Sequence, residues 1–287
     1  MRVVDDSPPK LNVRRTADGL PLAVRTWPIA GKAWVGIVHG YGEHCGRYEA
    51  FARWLNRRGW AVAACDLRGH GGSPGRRGHI HRFADYLRDV AALHGLLRER
   101  AAGRPLFLLG HSLGGLIALR YVEEGAEGLD GLILSAPFLG MVMPVPRWKR
   151  MLSPVLSQLW PSFSTPSGLR GAMVSRDPEV VAVYNTDPLI HTLATARWFT
   201  EVQKSQRVAL VEASRLTLPL LVLQGDADPI ASIAATRRLF GVARSADKTL
   251  RIYGGFLHEV LNELGKERVW EDVASWLDGH GAMGEER

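Results

Sequence analysis

Short apolar runs that end at glycine or a polar residue alternate along this chain with longer segments of helical periodicity. GIVHG (36–40), AVAAC (61–65), LFLLG (106–110) and GLILS (131–135) come first; LLVLQG (220–225) and TLRIYGG (249–255) follow after a gap. Runs this short and this apolar suit parallel strands buried on both faces. Between them Phe83, Leu87, Val90, Leu93 and Leu97 recur at helical spacing, with Arg82, Asp85, Arg88 and Arg98 on other faces. Segments 47–57, 114–124, 231–241 and 264–277 read as helices in the same way. The alternation predicts an α/β fold, a mostly parallel central sheet with right-handed crossovers and helices on both faces. LNVRR and PLAVRTW alternate around Asp18-Gly19, the pattern of a hairpin added to that sheet.

The stretch from 140 to 215 breaks this rhythm. It holds Pro144, Pro146, Pro154, Pro161, Pro166, Pro178 and Pro188 with several short amphipathic segments, and it is too long for a simple connection. Strand-like runs resume directly afterwards, so the expected organisation is one core, 1–139 and 216–287, with a helical cap (a lid) inserted at 140–215. Residues 140–165 mix Met, Val, Leu, Trp and Phe with Arg147, Lys149 and Arg150. One reading is a helix burying its apolar face over the core. The other is a lid that lines an acyl tunnel and makes transient contact with a membrane or micelle surface, with Trp148 and the basic residues at the interface.

Composition narrows the classes. At 287 residues the chain can bury a sizeable core, and 46% apolar with 23% charged residues is ordinary for a globular protein. The opening MRVVDDSPPK has acids and prolines where a secretory signal needs an apolar run, and no apolar stretch reaches the roughly 18 residues of a membrane helix. The two cysteines, Cys45 and Cys65, make no disulfide framework and no zinc spacing, and read as reduced thiols in a cytoplasmic protein. The net charge of +7 is spread among acids without a run of like charges, which argues against a nucleic-acid partner. Oligomeric state has no signature here.

The candidate chemistry is nucleophilic. Gly110-His111-Ser112-Leu113-Gly114 matches G-x-S-x-G, follows a strand-like run and precedes a helical one, as a nucleophile elbow requires. A serine nucleophile needs a base held by a carboxylate, in the chain order Ser, acid, His. His258, after the strand TLRIYGG, is the expected base, while His280 falls in the expected frayed tail GHGAMGEER. Asp226 and Asp228 both sit in the turn after LLVLQG. Asp228 is the expected acid and Asp226 the residue suited to hydrogen-bond the turn's own backbone. Two backbone donors must meet the developing oxyanion, each contributing about 3 kcal/mol. Leu113, after the nucleophile, supplies one; Tyr41, in the loop HGYGEH (39–44), supplies the other. His39 and His44 lack a third ligand at metal spacing, and no metal or organic cofactor is needed for this chemistry.

HGYGEHCGRY (39–48), DLRGHGGSPG (66–75), GHSLGG (110–115), SRDPEVVAVYNTDPLIH (175–191), LQGDADPI (223–230) and DKTLRIYGGFLHEVLNE (247–263) together resemble the monoacylglycerol lipase and lysophospholipase family of serine α/β-hydrolases. The resemblance spans about residues 10 to 278. It implies an α/β-hydrolase fold and cleavage of monoacylglycerols or similar single-chain lipid esters through an acyl-enzyme, with a lysophospholipase or a broader esterase or thioesterase as the alternative. A non-catalytic lipid-binding module is the remote one. It implies that Glu43, Arg47 and Tyr184 lie at the polar end of the pocket, there to bind a glycerol-like head group or to fix the oxyanion loop. Glu43 and Arg47 are equally read as capping the helix near Tyr48. Asp66 to Ser73 reads as structural, with His70 a satisfied loop histidine. Tyr41 departs from the family, whose members often carry a smaller residue there; only its backbone is expected to matter.

Overall fold

The structure, a computed structural model, describes residues 8–30 and 33–281. Residues 1–7, which hold most of the opening MRVVDDSPPK that argues against a secretory signal, and the last six residues of the tail lie outside that set.

Among the described residues, eight strands form one sheet: β1 (Lys10–Arg15), β2 (Pro21–Trp27), β3 (Ala33–Val38), β4 (Trp60–Cys65), β5 (Leu106–His111), β6 (Gly131–Ser135), β9 (Leu220–Gly225) and β10 (Lys248–Tyr253). Their spatial order is β1-β2-β4-β3-β5-β6-β9-β10. β1 and β2 pair antiparallel as a hairpin turning at Gly19, whose φ is +84°. β2 joins β4 antiparallel, and every pairing from β4 to β10 is parallel.

The helices of the sheet are α1 (Glu49–Arg57), α2 (Ala84–Ala101), α3 (Leu113–Glu123), α8 (Ile233–Val242) and α9 (Lys266–Gly281). Alternate residues of each central strand face opposite layers. Val35, Ile37, Phe107 and Leu109 pack with residues of α1 and α9. Leu106, Leu108, Leu132 and Leu134 pack with α2 and α3. This two-sided burial is the physical reason the central strands are apolar throughout instead of alternating.

The register brings the carboxyl ends of the strands to one edge: Val38 lies beside Gly110, His111 beside Ser135, Ser135 beside Leu223 and Gly225 beside Tyr253. The segments that follow β3, β5, β9 and β10 therefore emerge together. In open α/β sheets this edge is where ligands bind.

Between β6 and β9 the chain forms α4 (Arg147–Leu159), β7 (Ser164–Pro166), α5 (Gly171–Val174), α6 (Pro178–Thr186), β8 (Leu193–Thr195) and α7 (Ala196–Glu212). β7 and β8 make a separate antiparallel pair that the sequence pattern did not announce. α4 packs on α7, and α7 packs on α3. Of the expected frayed tail, 279–287, the described residues 279–281 are instead helical: His280 Nδ1 lies 2.6 Å from the Trp276 carbonyl, and its Nε2 lies 2.9 Å from Asp247.

Candidate active site

Ser112 occupies the turn between β5 and α3 with φ 53° and ψ −117°, a backbone state a side chain rarely adopts. Its surroundings hold it there. The Ser112 N–H donates to the Ser135 carbonyl at 2.9 Å, and its own carbonyl accepts from Phe138 and Leu116 at 2.9 and 3.1 Å. A side chain at Gly110 would overlap the Gly114 carbonyl, and one at Gly114 would overlap the Val38 and His39 carbonyls. Both glycines of the pentapeptide are thus required by close backbone approach.

The Ser112 hydroxyl lies 2.7 Å from His258 Nε2, and His258 Nδ1 lies 2.8 Å from Asp228 Oδ2. All three side chains are buried. Asp228 Oδ2 also accepts from Gln224 Nε2 at 2.7 Å, and its Oδ1 accepts the Ile230 and Ala231 amides at 2.8 and 3.0 Å. Burial opposes a charge on either partner. The facing opposite charges and these hydrogen bonds outweigh it, lifting the His258 pKa and holding that of Asp228 down.

Asp226 was expected to bond its own turn, and the structure corrects this. Asp228 caps the turn, while Asp226 Oδ1 accepts the Gly255 amide across the neighbouring loop at 2.6 Å.

The loop after β3 packs directly on the nucleophile; a Cβ on Gly40 would sit 3.2 Å from Ser112 Cβ. Two side chains orient the Gly40–Tyr41 region. Glu43 Oε1 accepts the Gly40 amide at 2.6 Å. His39 Nε2 accepts the Leu67 amide at 2.9 Å, leaving Nδ1 to donate to the Gly40 carbonyl at 2.7 Å. Burial lowers the His39 pKa, consistent with this neutral tautomer. Because a trans peptide points its C=O and N–H in opposite directions, fixing the Gly40 carbonyl also fixes the Tyr41 N–H. Among the described residues no acceptor takes the Tyr41 or the Leu113 amide.

Glu43, Arg47 and Tyr184 come together around one buried ion-pair cluster. Arg47 donates to Glu43 Oε2 at 2.6 Å and to both oxygens of Glu259 at 2.6 and 2.8 Å, with its guanidinium 5.2 Å from the Tyr184 ring centre. Glu43 and Tyr184 line the pocket and Arg47 lies behind them. The capping alternative does not hold. His44 Nδ1 accepts the Gly46 amide at the start of the 3₁₀ turn Cys45–Tyr48, and α1 begins beyond it. His70 is likewise not fully satisfied: its Nδ1 faces the Arg68 carbonyl at 3.0 Å, but its buried Nε2 has no partner among the described residues. Both cysteines are free and buried.

From Ser112 and His258 a pocket runs under the segment between β6 and β9, walled by apolar side chains including Phe138, Met143, Leu156, Phe163, Trp198 and Phe199. A serine hydrogen-bonded to an imidazole at the end of an apolar slot can be acylated by an ester whose chain fills that slot.

Residues 30–265 match the family described as serine aminopeptidase, S33. The chain belongs to that family. This S33 member is a serine hydrolase with the α/β-hydrolase fold. It is 35% identical over 250 residues to a monoacylglycerol lipase of Mycolicibacterium smegmatis, covering 86% of this chain and 88% of the relative. It is 32% identical to phospholipase YtpA of Bacillus subtilis, covering 84% and 93% of the two chains. The crystal structure of a monoacylglycerol lipase from Paleococcus ferrophilus superposes with a TM-score of 0.83 at 34% identity, covering 90% of this chain and 99% of that one.

Sequence reasoning missed the residues that position this S33 member's site: Gln224, Glu259 and the inward role of His39. Gln224 left a signal, a lone amide ending an apolar buried strand. Glu259 and His39 left none, because their partners Arg47 and Leu67 are distant in sequence.

Proposed function

We propose that this serine hydrolase is a carboxylic ester hydrolase that cleaves monoacylglycerols to fatty acid and glycerol. The observation that carries the reading is the hydrogen-bonded line Asp228–His258–Ser112 at the base of an apolar pocket, in a chain whose relatives include monoacylglycerol lipases. Ser112 Oγ attacks the ester carbonyl carbon while His258 Nε2 takes the hydroxyl proton, and Asp228 stabilises the imidazolium. The Tyr41 and Leu113 amides receive the oxyanion. His258 then protonates the departing glycerol oxygen. Water, deprotonated by His258, attacks the acyl-enzyme and releases the fatty acid.

The family description names an aminopeptidase, but an aminopeptidase needs an unpaired carboxylate for the substrate's ammonium group. The acids lining this pocket are Glu43 and Glu259, and Arg47 pairs with both. A neutral head group suits such a site better, with Tyr184 and Glu43 at its polar end.

Residues 140–215 act in this reading as the cap over the core. Trp148, Met151, Leu152, Val155 and Leu159 recur along one face of α4 and are 48–81% exposed. Arg147 and Arg150 stand exposed on the same helix. An exposed apolar face edged by cations suits contact with a lipid–water interface. Among the described residues no helix is long and apolar enough to cross a membrane, so such contact would be peripheral.

The kinship with a phospholipase favours lysophospholipid as a second substrate reading. A panel of monoacylglycerols of increasing chain length against lysophosphatidylcholine, di- and triacylglycerols tests both. Highest kcat/KM on a monoacylglycerol is expected; preference for a di- or triacylglycerol would overturn the single-chain reading.

A further inference from the structure

The oxyanion loop is tied to the β6–β9 segment along its length. The His191 amide donates to the Gly42 carbonyl at 2.8 Å, and a side chain at Gly42 would overlap the His191 carbonyl. His44 Nε2 lies 2.8 Å from Asp187 Oδ2, whose partner Oδ1 accepts the Leu189 amide at 2.8 Å. In the centre the Tyr41 hydroxyl donates to the Leu193 carbonyl in β8. The Tyr41 ring lies 4.1 Å from the Trp198 ring in α7, centre to centre, and its edge meets His191 at 5.4 Å. Below it, Thr195 closes on Gly78 through its amide and hydroxyl, both at 2.9 Å from the Gly78 carbonyl.

Tyr41 is thus a residue with two ends. Its backbone belongs to the peptide whose carbonyl His39 holds, and the preceding Gly40 packs on Ser112. Its side chain is anchored in the segment that also walls the acyl pocket, since Tyr41, Ala194, Thr195 and Trp198 all line it. We propose that the Tyr41 side chain is a positioning residue, which couples the seating of residues 187–198 over the acyl chain to the alignment of the oxyanion-binding amide. This rests on the ester-hydrolase reading. A smaller side chain leaves the loop with the backbone bond at Gly42 and the His44–Asp187 pair, but without an anchor at the donor residue itself. Oxyanion binding exists only in the transition state, so a misplaced donor lowers kcat and leaves ground-state binding alone.

The test compares wild type with Tyr41→Phe on a water-soluble short-chain ester and with an alkylboronic acid, which forms a tetrahedral adduct on the serine. The variant is expected to lose about tenfold in kcat, with KM within about twofold. Boronate affinity should fall by the factor lost in kcat. Unchanged kcat, or a kcat loss without weaker boronate binding, would overturn the proposal. Should Tyr41→Phe fail to fold by circular dichroism, Tyr41→His, which keeps a ring but shortens the reach to the Leu193 carbonyl, carries the same test, with the same split expected and the same results against it. A wild type that turns over no ester would instead sink the hydrolase reading, which separates the two failures.

Discussion

Gln224 Nε2 and His258 Nδ1 meet on the same oxygen of Asp228, at 2.7 and 2.8 Å. With the Ile230 and Ala231 amides on the other oxygen, the carboxylate is held by four donors and its charge is directed at the imidazole. The Asp226 carboxylate, two residues earlier, accepts the Gly255 amide across the neighbouring loop, while His258 bonds Asp228.

Asp228→Asn is therefore expected to lower kcat by roughly ten-thousandfold, since the amide presents the wrong group to His258. Asp226→Asn should keep most of the activity. Hydrolysis of a chromogenic ester by the two variants checks this; the reverse ranking would move the acid to Asp226.

The pH profile follows from His258. The imidazole must be neutral to take the serine proton, and Asp228 lifts its pKa above the ordinary 6.5 against the effect of burial. As pH falls through that raised value the base is lost, so the acid limb of kcat/KM should lie above 6.5. In Asp228→Asn the lifting charge is gone, and the residual activity should persist to lower pH.

Gln224→Leu removes one donor from Asp228 and leaves the buried Thr236 hydroxyl without its acceptor at 3.0 Å. A loss of about 1–3 kcal/mol in stability is expected, with a fall in kcat. Urea unfolding read beside steady-state kinetics measures both. Stability lost with kcat intact would make Gln224 a folding residue alone.

Arg47→Met leaves Glu43 and Glu259 buried and uncompensated. Removing one partner of such a cluster costs about 3–5 kcal/mol. Thermal unfolding should show the loss, and hydrolysis should fall with it because Glu43 no longer holds Gly40 under the same constraint.

Replacing Met151 and Leu152 with serine probes the exposed face of α4, since neither lines the pocket. Binding to anionic vesicles should weaken by about tenfold per substitution, while turnover of a soluble short ester changes little. An equal loss in vesicle binding and in turnover of the soluble ester would point to damage in the pocket wall.

The central strands were legible in sequence because burial on both faces demands unbroken apolar runs, and GLILS and LLVLQG coincide with β6 and β9. Ser112 was legible because a strained turn between strand and helix admits few residues beside glycine, and His258 because it follows a strand whose end the sheet brings to the same edge. What the sequence left open depends on contacts between distant segments. The choice of which aspartate faces the imidazole is made by parallel pairing of β9 with β10, which sets Gly225 beside Tyr253 and turns Asp226 toward Gly255. The clamp of Arg47 on Glu259 requires residues 212 positions apart to meet. The anchoring of Tyr41 on Leu193 spans 152 positions. Periodicity and motif record local demands of backbone and burial; pairings across such separations are decided only when the sheet edge and the segment above it have folded together.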